Sequence, residues 1–279
     1  MDSVIFPISK YRGLTFKEVY KMGDKSYINW ITKNIYIFRK EPNKQGVLNS
    51  FLQYCKKQDF VKIKNQKGGR KKQTNLLFID TETSGLPKTK GYNQYYSPKD
   101  LEKYQTARIV QISWVVTDYK GKILSQHDYI IKPNNFIIPE DSIKIHGINN
   151  EKANKEGLQI TSVLKNKLYP DLKTCNKIIG HNIFFDNNII KSELYRNKMD
   201  YIVNEYEKKS LGCTMIMGKF FLKHYKNPKL TELFKLLFNK DIEGAHNSLV
   251  DTIASMKCYF KIIELQDGYW PSKKNVYTL

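Results

Sequence analysis

Apolar residues follow two rhythms along this chain, and the change between them falls near residue 75. Before it, the spacing is helical. Thr15-Phe-Lys-Glu18 has the form of a capping box that opens a short helix, and Asp24 can cap a second over SYINWITKN. Val47, Leu48, Phe51, Leu52 and Cys55 make an apolar stripe on a third. After it, short apolar runs predict strands: LLFID (76–80), RIVQISWVVTD (108–118) and KILSQHDYIIKP (122–133). The tight Tyr119-Lys-Gly121 turn predicts that the last two pair as a hairpin.

Helices and short strands then alternate. CNKIIG (175–180) runs into the helical NIFFDNNIIKSELYRN, and LGCTMIM (211–217) reads as the next short strand. Asn227-Pro228 predicts a helix start, with Leu230, Leu233, Phe234 and Leu237 on one face. Leu249, Ile253, Met256, Phe260 and Ile263 recur at 4-3-4-3 spacing, the seam of a closing helix. A hairpin followed by such units predicts an α/β fold, a mixed sheet flanked by helices. The polar, tyrosine-rich stretch 88–106 is expected to be a loop.

Composition adds a boundary and a partner class. Formal net charge is +20, and it is uneven: residues 1–75 carry 17 Lys+Arg against 5 Asp+Glu. KIKNQKGGRKKQTN (62–75) has a Gly-Gly pair, six basic residues and no apolar period, so it reads as a flexible linker that can track phosphates. The expected organisation is a mostly helical accessory module at 1–60, a basic linker at 61–75, a main domain at 76–267 and a tail at 268–279. The excess charge points to nucleic acid first and an acidic membrane surface second, although an AT-rich genome would also enrich Lys, Asn, Ile and Tyr. Four scattered cysteines without CxxC spacing suggest reduced thiols. No apolar run approaches a membrane span, and the N-terminus lacks a signal-peptide pattern, so a soluble intracellular protein is expected, cytoplasmic or nuclear.

Against that charge, one strand ends in acids. Asp80 and Glu82, two residues apart, point to one face about 7 Å apart, where they repel each other unless protons or cations intervene. Hard divalent ions with oxygen ligands are the natural remedy. In IIGHNIFFD an apolar strand breaks at Gly180 and brings Asp186 near its end. In GAHNSLVDT, His246 precedes the last helix and Asp251 sits in its first turn, where Ser248-x-x-Asp251 also has capping-box form.

In that order, FIDTETSG, HNIFFD and H-x4-D resemble the DEDDh branch of the DnaQ-like 3′→5′ exonucleases over about residues 75–265. ARIVQISWVV, SIKIHGI and PKLTELFKLLF…AHNSLVDT resemble that family too. The resemblance implies a ribonuclease H-like fold with a mixed five-stranded sheet. It implies that Asp80, Glu82, Asp186 and Asp251 hold two Mg²⁺ or Mn²⁺ ions, with Asp80 between them and His246 as general base. It further implies that Thr83, Leu86, Asn182 and Phe185 contact the terminal nucleotide, with His146 a weaker candidate. Ser84 replaces a Thr frequent in the family. His181 reads as a structural hydrogen-bonder, and His127 and His224 have no metal role. SKYRGLTFKEVYKMGDKSYINWITKN resembles a small domain appended to exodeoxyribonuclease X-like proteins, with Ser9 where Gly is frequent.

The function implied is metal-dependent trimming of DNA 3′ ends, with RNA as the alternative substrate, in replication, repair or proofreading and in company with a polymerase or similar protein. From another class, the basic N-terminal part could make the chain a non-catalytic nucleic-acid scaffold. Five intact signature residues argue against that.

Overall fold

The computed structural model describes residues 15–17, 31, 42–65, 75–91, 93–222 and 226–267. The chain divides into two compact units, Met1–Lys72 and Gln73–Leu279. In the first, helix α1 (Pro42–Asn65) carries the apolar stripe expected from its sequence. Leu48, Phe51 and Cys55 are buried, and Phe16 packs edge-on against Phe51 with ring centroids 5.2 Å apart. The helix continues three residues past Lys62, into the segment read as a linker. Most of the SYINWITKN segment, His224 and residues 268–279 lie outside the described residues.

The second unit is built on a five-stranded sheet whose strands are β1 (Asn75–Thr83), β4 (Ile109–Thr117), β5 (Ile123–Ile130), β6 (Cys175–Gly180) and β7 (Ser210–Cys213). Their spatial order is β5-β4-β1-β6-β7. β1 pairs antiparallel with β4, and β4 with β5, while β6 joins β1 and β7 in parallel. The mixed sheet of the ribonuclease H-like expectation is therefore present. Asp118 closes the β4–β5 turn, accepting hydrogen bonds from the backbone N–H groups of Lys120 (2.8 Å) and Lys122 (3.0 Å).

Alternation along β1 sends its side chains to two cores. Leu77 and Ile79 join Ile112, Trp114 and Ile178 beneath the sheet. That side is covered by a helical stretch at residues 160–174 (α4), α5 (Phe184–Arg196) and α6 (Asp200–Glu207). Leu76 and Phe78 face the other way, with Val115 and Ile179, against Met256, Tyr259 and Phe260 of α9 (Ser248–Asp267). Between β5 and α4 run the short helices α2 (Glu140–His146) and α3 (Asn150–Glu156). α7 (Thr214–Phe221) and α8 (Leu230–Phe238) precede α9, and Leu233 of α8 packs on Cys258 and Ile262.

Four sequence expectations change. LGCTMIM is a strand only to Cys213, and the rest is the first turn of α7. Asn227-Pro228 lies just before α8, whose start is held by the Glu232 carboxylate accepting from the Lys229 backbone N–H at 2.9 Å. The stretch 88–106 is folded: a small hairpin, β2 (Thr89–Gly91) with β3 (Gln94–Tyr95), leads to a 3-10 turn at Leu101–Tyr104. Tyr104 is fully buried and its hydroxyl donates to the Tyr96 carbonyl at 2.7 Å, an anchor that a polar pattern does not announce. Finally, Ser248 does not cap α9. The Asn247 side-chain oxygen accepts from the backbone N–H groups of Leu249 (3.1 Å) and Val250 (3.2 Å) instead.

Candidate active site

β1 runs between β4 and β6 and delivers Asp80 and Glu82 to the face that α9 covers. In register, Asp80 lies opposite Ser113 and Glu82 opposite Gln111. A bulge follows between Glu82 and Thr83, where the strand leaves the ladder and turns into the 84–88 segment. α9 begins over this strand end. The Ser248 hydroxyl donates to the Asp80 backbone carbonyl at 2.8 Å, and the Ser248 N–H donates to the Gln111 side-chain oxygen at 3.3 Å. This fixes the first turn of α9, so one carboxylate oxygen each from Asp80, Glu82 and Asp251 falls within 4.8 Å of the other two.

Asp186 arrives from the opposite face, in the first turn of α5. It is buried, and its Oδ1 accepts from both the Thr81 N–H (3.0 Å) and the Thr81 hydroxyl (2.8 Å). That leaves Oδ2 for other partners. Burial pushes all four acids upward, and repulsion from the neighbouring carboxylates adds to it at Asp80 and Glu82. Asp80 lies well above the ordinary carboxylate range, through burial and then the charges of Asp186, Glu82 and Asp251. Glu82 is pushed up to about 7, by burial and then Asp251 and Asp186. Burial takes Asp186 to about 7 despite the opposing hydrogen bonds from Thr81. Asp251 is raised by burial, offset by the His246 backbone N–H donating to its Oδ2 at 3.2 Å.

Three carboxylates converging on one point, with the buried Asp186 near enough to raise Asp80 but outside that convergence, fit a divalent cation. Among the described residues no lysine or arginine forms an ion pair with any of the four.

His246 is exposed, in a left-handed backbone conformation (φ 69°) immediately before α9. Its backbone N–H is tied to Asp251, and the side chain lies close enough to act electrostatically on that carboxylate. Around the strand end, Thr83 is locked by its hydroxyl donating to the Gly85 carbonyl at 2.7 Å, and Leu86 is 75% exposed. His146 ends α2 beside the Thr83 backbone. Its Nδ1 accepts from the Ile148 N–H at 3.1 Å, and burial lowers its pKa. Asn182 takes a left-handed turn (φ 61°) between β6 and α5, and its buried Oδ1 has no hydrogen-bond partner. Phe185 is half-buried, packed on the lower core.

Neighbouring histidines fall outside this arrangement. His181 bonds the Thr214 hydroxyl (3.1 Å) and the Pro228 carbonyl (3.0 Å), and burial depresses its pKa to about 4. It is a neutral structural group. Beside the acids on the β4–β5 side opens a cleft of about 420 Å³ lined by Gln111, Asp128, Tyr129, His146, Lys152 and Asn247, among others. Sequence reading missed Thr81, Gln111 and Ser248. Gln111 lies opposite Glu82 only in the β1–β4 pairing, which no local turn signal fixes, and the capping-box pattern of Ser248 suggested another role.

A mixed five-stranded sheet flanked by helices, with three carboxylates converging at the end of its central strand, defines a class of α/β fold with a candidate cation site. Within that class, the sequence profile of the RNase_T family, described as an exonuclease family, matches residues 77–259, and the chain belongs to it. Solved structures with the same fold include E. coli exonuclease I in a zinc-bound complex with single-stranded DNA (TM-score 0.55, 18% identity). The same enzyme with a dT13 oligonucleotide gives a TM-score of 0.54 at 18% identity. Its apo form gives 0.53 at 17%. In each case 70% of this chain aligns, but only 42–43% of the exonuclease I chain. Comparison with curated protein sequences gives no match. No helix among the described residues is long and apolar enough to cross a membrane.

Proposed function

We propose that this chain is a 3′→5′ exonuclease that releases nucleoside 5′-monophosphates from DNA. The observation that carries the reading is the convergence of Asp80, Glu82 and Asp251 oxygens within 4.8 Å, with the buried Asp186 raising the Asp80 pKa from beside them. Two Mg²⁺ or Mn²⁺ ions held by these four acids would supply positive charge to both the attacking and the leaving oxygen of an in-line displacement.

The chain's own groups do the rest. His246, at the exposed rim, accepts the proton of the attacking water on an imidazole nitrogen. Asp251 holds the His246 backbone through its Oδ2, so base and acid cluster keep a fixed separation. Thr83 and Leu86 form a lip for the 3′-terminal nucleotide. Phe185 packs beside it, the unpartnered Asn182 Oδ1 accepts a hydrogen bond from its sugar or base, and His146 braces the Thr83 backbone. RNA is the alternative substrate, distinguished by contacts to the 2′-OH. Residues 1–60 and the basic segment after them would add nucleic-acid affinity or dock a replication or repair partner.

The test is digestion of 3′- and 5′-labelled DNA and RNA with Mg²⁺ and with chelator. Metal-dependent release of 3′-terminal mononucleotides is expected, with Asp80→Ala reducing it at least about a thousandfold. Unchanged activity in that variant would sink the assignment.

A further inference from the structure

The folded stretch 88–106 has no part in the chemistry above, yet it is bound to the lip at both ends. The Thr106 hydroxyl donates to the Leu86 carbonyl at 2.7 Å, Lys88 N–H to the Lys103 carbonyl at 2.8 Å, and Ser84 N–H to the Arg108 carbonyl at 2.9 Å. Its far side rests on the last turn of α5, where Arg196 reaches the Tyr104 carbonyl (3.5 Å) and the Gln105 side chain (3.4 Å). Three lysines are held over tyrosine rings there. Lys90 and Lys103 lie 5.1 and 5.2 Å from the Tyr96 centroid, and Lys99 lies 5.2 Å from that of Tyr195.

Ring faces hold these ammonium groups in place and reduce the ordering cost of gripping an anion. Among the described residues, none of the three lysines forms an ion pair with a carboxylate. Even with the exposed Asp100 and Glu102 counted, four lysines leave the stretch basic.

Position says which strand this platform can meet. Nine residues of α5 separate Asp186 from Tyr195, about 14 Å at 1.5 Å per residue. The 420 Å³ cleft opens at the β4–β5 side of the acids, lined by Gln111, Asp128, His146 and Asn247, whereas the platform docks on the end of α5, beneath the sheet. On the reading above, the strand being digested ends at the Thr83–Leu86 lip and has nothing further to offer beyond it. A complementary strand is the one that continues past the 3′ end, beyond the lip and toward the lysines.

We propose that residues 88–106 form a binding site for single-stranded DNA that overhangs a recessed 3′ end, with Lys90, Lys99 and Lys103 contacting its phosphates. The preferred substrate is then a duplex with a 5′ overhang. This rests on the lip holding the 3′ terminus.

The experiment uses the full chain and the triple variant Lys90→Glu/Lys99→Glu/Lys103→Glu, with Lys→Arg at the same positions as the conservative control. Substrates are single-stranded DNA, a blunt duplex and a duplex with a 5′ overhang, all with the same 3′ sequence. KM is measured with Mg²⁺, and binding by anisotropy in chelator. Expected is roughly tenfold tighter binding of the recessed end than of the blunt end by the native chain. The Glu variant should lose that preference, with its salt slope falling by about 2, while its KM and kcat on single strands stay within about twofold. The Arg variant should retain the preference. Equal losses on single-stranded and recessed substrates, or no preference in the native chain, would overturn the proposal. Should no 3′ end be digested, the catalytic reading fails, and the binding comparison in chelator still decides this one.

Discussion

Replacing Asp186 by Asn tests whether the acid cluster is a site strained for a cation. Asp186 is buried with an acidity near pH 7, against 3.8 for an unperturbed aspartate. Between those values the native state keeps a proton that the unfolded chain has lost, so stability falls as pH rises through that window. At 1.36 kcal/mol per unit, the three-unit difference costs about 4 kcal/mol once the group is fully ionised. Asn is isosteric, carries no charge, and its oxygen can accept both hydrogen bonds from Thr81. The variant should therefore be more stable than the native chain in chelator, by about 4 kcal/mol at pH 8 and by about 2 kcal/mol less than that at pH 5. Urea denaturation at both pH values measures the difference. Adding Mg²⁺ should shrink or reverse the gain, because a bound cation stabilises the native site in proportion to its affinity. A variant no more stable than the native chain in chelator at pH 8 would refute the reasoning.

Further consequences follow from neighbouring contacts. Gly180→Ala should destabilise the sheet by about 1–3 kcal/mol in denaturation, since a Cβ there would stand 2.8 Å from the Ile79 carbonyl oxygen. Arg108→Ala leaves the Glu193 carboxylate, which is 1% exposed, with only the longer Arg196 ion pair at 3.7 Å, and should cost about 3 kcal/mol; a cost under about 1 kcal/mol would mean the buried Arg108 pair is not formed. The His181 ring, depressed to about 4 by burial, should show neutral-form NMR shifts down to pH 5. Because its folded pKa lies below the unfolded value, the stability it contributes is complete above about 6.5 and is lost as pH falls toward 4. A titration midpoint near 6.5 would show the ring to be solvated.

Much of this protein is legible in one dimension. Short apolar runs in LLFID and IVQISWVVT marked two central strands, and a 4-3-4-3 seam marked the helix that covers them. The runs follow from burying both faces of a strand, the seam from burying one face of a helix. Identity and order of Asp80, Glu82, Asp186, His246 and Asp251 were likewise visible, because they follow one another in the chain as the motifs of the resembled family do. Where an element's end depends on partners distant in sequence, the pattern misled. The stretch 88–106 looked like a loop because its burial depends on Tyr104 and on α5, ninety residues away. Ser248 looked like a cap, but the tertiary structure turns its hydroxyl to Asp80 and leaves capping to Asn247. Sequence alone determined which acids the chain owns. The fold decided how close they come and how strongly they repel, because those quantities depend on strand register, helix docking and burial.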